Sequence, residues 1–416
     1  MDETQSQVKP FPVTQQMVLE AYKKVKTKGK AYGVDEMSMK DFEVKLNGNL
    51  YKIWNRLASG TYFPPAVREV EIPKKDGKMR KLGIPTIGDR IAQTVVKDYM
   101  EASIDKLFHE NSYGYRPLKS AHQALEKARK NVTQFDWVID MDIKGFFDNI
   151  NHELILKALD KVVEEKWVKM YCKRWLEMSV QKLDGTIVGK DGLGTPQGGV
   201  ISPLLANLFL HYAFDMWITK KHPSIRFERY ADDIIVHCQT KDEAETILLQ
   251  ISERMAQCKL ELHPLKTKIV YCKDFKRTES HEQVQFDFLG FSFQPRPTRN
   301  HRTRIIQNQF DLCISRASQK KIVEEINSLR IHLRSESTIE HLADVLYSKL
   351  QGWITYYGKF RKWEFLKVFR RLDLRLMKWV KNKYKITSVR QRYQWIKDYQ
   401  KVHPNLFAHW RYGYKL

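Results

Sequence analysis

The sequence has no pair of cysteines spaced to share a metal. Its five, Cys172, Cys238, Cys258, Cys272 and Cys313, are scattered, and none forms a Cys-x-x-Cys. That argues against a zinc ribbon and a disulfide framework and fits a reducing cytosol. No apolar run is long enough to cross a bilayer, and Met1 to Pro10 is polar with no apolar signal core, so neither a membrane partner nor secretion is expected. Disorder is excluded as well: 42% of the 416 residues are hydrophobic, enough chain and enough apolar surface for two or three domains with cores.

Acidic residues become scarce toward the C-terminus. From Arg296 onward 14 Arg and 13 Lys face nine carboxylates, which places +18 of the net +23 there. A charge so concentrated is the footprint of a polyanion partner. Trp353, Tyr356, Tyr357, Trp363, Trp379, Tyr384, Trp395 and Trp410 are interleaved with it, a mixture that suits base stacking with phosphate neutralisation. Core packing is the expected role for most of these rings. Ser337-Thr338-Ile339-Glu340 reads as a capping box ahead of Ile339, Leu342, Leu346, Leu350 and Trp353 at helical spacing. A second helix carries Phe365, Phe369, Leu372, Leu376 and Trp379 on one face, with Arg370, Arg371, Arg375 and Lys378 around the rest. A third surrounds Tyr393 to Tyr399.

Earlier in the chain, residues 12–30 and 41–58 have helical periodicity, and Ser59-Gly60 offers the second a C-cap. Val67 to Pro73 and Arg80 to Pro85 read as strands joined at Asp76-Gly77, a basic hairpin. It is either a charged edge or a flap that grips a triphosphate. Asp89 is the expected N-cap of the next helix. Gly192 to Pro203 is rich in glycine, which allows a ligand close to the main chain, and it runs into an apolar helix, Leu204 to Trp217. Phe286 to Phe293 alternates as a β-hairpin.

Acids interrupt two of the apolar segments. Trp137 to Ile143 alternates with period two, a half-buried strand with Asp142 near its end. Arg229-Tyr230-Ala231-Asp232-Asp233 sits between Phe227 and Ile234-Ile235-Val236, which points to a turn between two strands. Buried like charges are costly unless neutralised. Asp142, Asp232 and Asp233 together suit a pair of Mg²⁺ ions, which prefer one or two carboxylates completed by substrate phosphates. Asp140 and Asp148 are nearby acids read as supporting or solvated.

In order, Ile72-Pro73-Lys74-Lys75-Asp76-Gly77 with Arg80, Asp142-Ile143-Lys144-Gly145-Phe146-Phe147-Asp148, Thr195-Pro196-Gln197-Gly198-Gly199, Tyr230-Ala231-Asp232-Asp233 and His263-Pro264-Leu265-Lys266-Thr267 resemble the motifs of group II intron-encoded reverse transcriptases. Gln351 to Tyr357 and Leu406 to Trp410 resemble that family's thumb, or maturase, domain. The resemblance implies an α+β right hand: an N-terminal extension (1–30), fingers and palm with an antiparallel sheet (31–295) and an all-α thumb/maturase domain (296–416). It implies RNA-directed DNA polymerisation with two Mg²⁺ ions, or Mn²⁺, and deoxynucleoside triphosphates. The partners would be an RNA template, a DNA primer or target, and the intron RNA whose splicing the protein supports. Asp142, Ile143, Asp232 and Asp233 would hold metal. Lys74, Arg80, Ile143, Phe147 and Gln197 would bind the nucleotide, with Phe147 as the gate against a 2′-hydroxyl. Lys266 or Lys268 would donate a proton to pyrophosphate. Arg370, Arg371, Arg375 and Lys378 would meet RNA, in A-form mainly through phosphates. The family's Cys/His-rich endonuclease has no counterpart, so DNA cleavage is not expected; a bacterial cytosol is. Two rival functions are a maturase that no longer polymerises and a domesticated relative serving phage defence or DNA repair. A third, an RNA-templated RNA polymerase, is disfavoured by Phe147.

Overall fold

The chain divides into two compact units, residues 1–124 with 139–269, and residues 125–138 with 270–416. The computed structural model describes residues 9–28, 31–73, 79–299 and 304–414.

The basic hairpin of the first unit forms as its alternation suggests. β1 (Val67–Pro73) pairs antiparallel with β2 (Met79–Ile84), setting Ile72 opposite Arg80. Its turn, and Lys74 with it, lies outside the described residues. β3 (Trp137–Asp142), β4 (Val180–Gln181), β5 (Ile187–Val188), β6 (Arg226–Tyr230), β7 (Asp233–Cys238) and β8 (Lys268–Tyr271) follow. They build two sheets, ordered β2-β1-β4-β5 and β6-β7-β3-β8. In β7, Ile234, Ile235 and Val236 are all fully buried. A strand covered on both faces reads as a continuous apolar run rather than an alternation.

The helices depart from expectation in three places. Residues 41–58 are not one helix but two, Met39–Val44 and Leu46–Ser59, broken at Lys45 with φ −119° and ψ 42°. Gly60 then closes the second in the left-handed region, as its position suggested. Asp89 is not an N-cap. The helix is Ile87–Asp105, its N-cap is Thr86, and Asp89 turns inward and is fully buried. The apolar helix after the glycine-rich loop is α-helical over Ser202–Leu210, π-helical over His211–Asp215 and α-helical again over Met216–Lys221.

The second unit holds a three-stranded sheet, β9 (Phe286–Phe288), β10 (Phe291–Arg299) and β11 (Ile306–Ile314), in the order β11-β10-β9. Leu289 and Gly290, both at positive φ, make the two-residue turn between Phe288 and Phe291. The expected three helices are Ile339–Tyr357, Lys362–Tyr384 and Val389–Val402, and a fourth, Arg316–Ser328, precedes them. Leu342, Leu346 and Leu350 share one core with Phe365, Phe369, Leu372, Leu376 and Trp379. The anticipated capping box with Ser337 as N-cap does not form. Thr338 caps the helix by accepting from His341 N, while the Glu340 carboxylate accepts from the Tyr399 hydroxyl. Trp379 and Trp410 are core residues, whereas Trp363 is 69% exposed. No helix of the described residues is long and apolar enough to cross a membrane.

Candidate active site

The two-residue turn between β6 and β7 is Ala231-Asp232, with Tyr230 paired to Asp233. Ala231 has φ +59°, a conformation that costs a non-glycine residue about 1–2 kcal/mol. Arg229 holds it there. This guanidinium is fully buried, donates from Nε and Nη2 to Asp215 at 2.7 and 2.6 Å, and donates from Nη1 to Asn207 Oδ1 at 2.8 Å and to the Ala231 carbonyl at 3.1 Å. Asp215, equally buried, is the last residue of the π-helical turn, an irregularity often found at functional sites. A neighbouring loop closes on the same hairpin: Tyr113 N donates to Arg229 O, and Arg229 N donates to Asn111 O. A Cβ on Gly114 would stand 2.4 Å from Ala231 N, so only glycine fits. Sequence reading missed Asp215, Asn207 and Gly114. The visible signal was an arginine, Arg229, inside a buried strand, which must find a buried anion.

Asp142 ends β3, the neighbour of β7. Burial first, and then the negative charge of Asp142, hold the Asp232 carboxyl above the usual carboxylate range, while Arg80 and Arg229 pull it the other way. Two of the expected residues, Asp142 and Arg80, are therefore within electrostatic reach of a third, Asp232. Asp233 opens β7 beside them. Ile143 forms a bridge with Leu262, in which His263 N donates to Asp142 O and Lys144 N donates to Glu261 O. In a bridge of this kind the Ile143 carbonyl is directed away from Leu262. The turn from His263 to Thr267 carries Lys266 to Asp142, with Nζ 3.1 Å from Oδ2. Lys268 opens β8 with an exposed side chain and no ion pair among the described residues.

Among the described residues no three His, Cys, Asp or Glu side chains converge to hold a metal unaided. The donor set is instead open: paired carboxylates and a main-chain carbonyl. That composition fits Mg²⁺, which keeps positions for water and substrate phosphate, better than an ion that needs a closed cage.

Phe147, half-buried, lies on the short helix Phe146–Asn149. The glycine-rich loop is bonded to this segment: Thr195 N donates to Phe147 O and Gly194 N to Ile150 O, both at 2.8 Å. Gly194 has φ +77°, and a Cβ there would meet Asp148 O at 2.8 Å. Gln197 accepts from Arg80 Nε at 2.7 Å and donates to both carboxylate oxygens of Asp148 at 3.2 Å. Asp148 thus supports Gln197, and Arg80, Gln197 and Asp148 form one chain across β2, the loop and the helix.

The far end of the loop is anchored by Gln93, whose Oε1 accepts from Val200 N at 2.7 Å and Ile201 N at 3.1 Å. Gln93 Nε2 donates to buried Asp89 at 2.8 Å, which fixes the amide's orientation. Tyr62 and Trp175 also donate to Asp89, yet burial outweighs all three bonds and raises its carboxyl from 3.8 to about 6.

In the second unit, Arg370, Arg371 and Lys378 are exposed on Lys362–Tyr384, and Arg375 is half-buried against Asn327 Oδ1. The opposite face of that helix is core, as its periodicity requires.

Two family models match the chain: "Reverse transcriptase (RNA-dependent DNA polymerase)" over residues 72–293 and "Group II intron, maturase-specific domain" over residues 319–399. Among curated proteins it is similar to Protein YkfC of Escherichia coli K12, 29% identical over 66% of this chain and 78% of that protein. It is also similar to group II intron-encoded protein LtrA of Lactococcus lactis subsp. cremoris, 37% identical over 38% of this chain and 26% of LtrA, so the match spans about a quarter of that relative. Among solved structures, telomerase from Candida albicans aligns over 81% of this chain and 63% of that one, with a TM-score of 0.46 and 13% identity.

Proposed function

Because the chain belongs to the reverse transcriptase family of RNA-dependent DNA polymerases, we propose that it extends a DNA primer on an RNA template and also binds a group II intron RNA to support its splicing and mobility. The observation that supports this reading is that Asp142 ends β3 while Asp232 lies in the turn that leads into the neighbouring strand β7. Asp142, Asp232, Asp233 and the Ile143 carbonyl would hold two Mg²⁺ ions, with Mn²⁺ as substitute. Bound there, such ions activate a primer 3′-hydroxyl and offset the charge of the leaving pyrophosphate.

This chain's own groups would do the rest. Arg80, oriented by Gln197, binds the triphosphate together with Lys74. Phe147 packs under the sugar and excludes a 2′-hydroxyl. Gln197 is held by Asp148 and by its loop, so its position is set before a deoxynucleotide arrives, and preorganisation of this kind supplies most of the acceleration in phosphoryl transfer. Lys266, whose Nζ pairs with Asp142, would hold the proton that pyrophosphate takes up as it leaves. Residues 31–295 would act as fingers and palm, residues 1–30 as an extension, and residues 296–416 as the thumb/maturase domain, with Arg370, Arg371, Arg375 and Lys378 on its RNA face.

The test is primer extension on an RNA template with deoxynucleotides and Mg²⁺, wild type beside Asp232→Ala/Asp233→Ala, with intron splicing measured on the same preparations. Extension by wild type and splicing by both is the expected outcome. Splicing by both with extension by neither would leave a maturase and overturn the polymerase reading.

A further inference from the structure

Between the helices Lys362–Tyr384 and Val389–Val402 lies a cavity of about 290 Å³. Arg371, Arg375, Lys378 and Arg392 surround it, and no carboxylate lines it. Among the described residues none of the four forms an ion pair, and neither do Arg370, Lys381 and Lys383 of the same helix. Arg375 is fixed by Asn327 Oδ1 at 2.7 and 3.0 Å, and Arg392 Nε leans on the Ser388 carbonyl at 3.3 Å. Two of the four act on a neighbouring imidazole. Burial first, and then Arg375, Lys378 and Arg330, hold the His332 imidazole below its usual range. Cations gathered without counter-charge repel one another, and an anionic ligand relieves that.

The floor of the cavity is apolar. Met377 is buried, and Leu374 and Val389 are 40% and 63% exposed. A duplex has no use for such a floor, since A-form RNA offers a protein its phosphates and 2′-hydroxyls. An unpaired nucleotide uses floor and rim together: its base lies on Leu374, Met377 and Val389, a guanidinium plane stacks on it, and its phosphates meet the remaining cations. The volume is just below the range for ligand clefts, about 300–1,000 Å³, so the cavity suits one nucleotide and not a folded segment. We propose that this cavity binds a single unpaired ribonucleotide, a bulged or looped-out base, of the RNA held by the second unit. The proposal rests on the reading of that unit as RNA-binding and names what it recognises there.

The experiment uses the full chain and two RNA hairpins, identical except for one extra unpaired nucleotide in the stem of the second. Wild type is expected to bind the bulged hairpin about tenfold more tightly, the order of a single base contact. Leu374→Gln/Val389→Gln changes two exposed side chains and no charge. It should bring the bulged hairpin to the affinity of the paired one and leave the paired one unchanged. Equal wild-type affinity for the two hairpins, or a bulge preference that survives Leu374→Gln/Val389→Gln, overturns the proposal while RNA binding by this unit stands. Failure to bind either hairpin overturns the underlying reading instead.

Discussion

Replacing Asp215 by leucine leaves the Arg229 guanidinium buried without its anion. Arg229 keeps its bonds to Asn207 and to the Ala231 carbonyl, but neither is charged. Breaking a fully buried pair from one side costs about 3–5 kcal/mol, because an uncompensated charge remains. Against a total stability of about 5–15 kcal/mol for a typical domain, that is a large share. Asp215→Leu should therefore lower the denaturant midpoint of the first unit markedly. The double variant Arg229→Met/Asp215→Leu removes both charges and should recover most of the loss, since apolar replacement of a whole buried pair is often neutral or better. Its activity should not recover. With Arg229 gone, the Ala231 carbonyl loses a donor and the left-handed turn beneath Asp232 loses its restraint. Urea unfolding and single-nucleotide incorporation, measured on all three proteins, separate the two roles. A double variant that is stable and polymerises at the wild-type rate would refute the claim that this pair positions the catalytic turn.

Three further outcomes follow from the same geometry. Phe147→Ala should raise ribonucleotide incorporation by about tenfold or more relative to deoxynucleotides, the scale of a lost steric contact; unchanged selectivity in competitive incorporation would remove it as the gate. Lys266→Ala should slow incorporation by about 10²-fold or more, as for loss of a general acid, and Lys268→Ala should not; equal effects in single-turnover kinetics would contradict the placement of Lys266 against Asp142. Asp89 has a folded-state carboxyl raised from 3.8 to about 6, so the folded protein holds this proton more tightly than the unfolded chain. Its contribution therefore falls as pH rises between those two values, by about 3 kcal/mol in total, and is flat above. Urea midpoints between pH 4.5 and 7 should fall more steeply for wild type than for Asp89→Asn; parallel curves would mean that Asp89 does not titrate in this way.

The strand that carries Asp142 and the turn that carries Asp232 were legible because Asp142 falls at the end of an alternating pattern and Asp232 falls between apolar stretches. Two strands and a tight turn follow from local chemistry, and so does the Leu289-Gly290 hairpin. What holds the site was not legible, because its partners are remote in sequence. Asp89 has the look of an N-cap from its neighbours alone, but Tyr62 and Trp175 draw it inward. A chain of apolar residues from Leu204 onward suggests a plain helix, and nothing local announces that its π-helical turn delivers Asp215 to Arg229. Lys266 and Lys268 could not be separated by sequence, since both follow the same turn; the fold brings Lys266 to Asp142 and leaves Lys268 facing solvent. The basic residues of the second unit were visible as a charge excess, whereas the apolar floor between Arg371 and Arg392 depends on two helices meeting.

The central claim is that Asp142 and Asp232 act together in nucleotide addition. Its most direct test is single-nucleotide incorporation on an RNA template–primer by wild type, Asp142→Asn and Asp232→Asn, with Mn²⁺ binding followed by paramagnetic resonance on the same samples. The account expects each variant to lose incorporation by about 10²-fold or more and to bind less Mn²⁺, with template–primer affinity unchanged. A variant that adds the nucleotide at the wild-type rate, or that binds Mn²⁺ as wild type does, would contradict it.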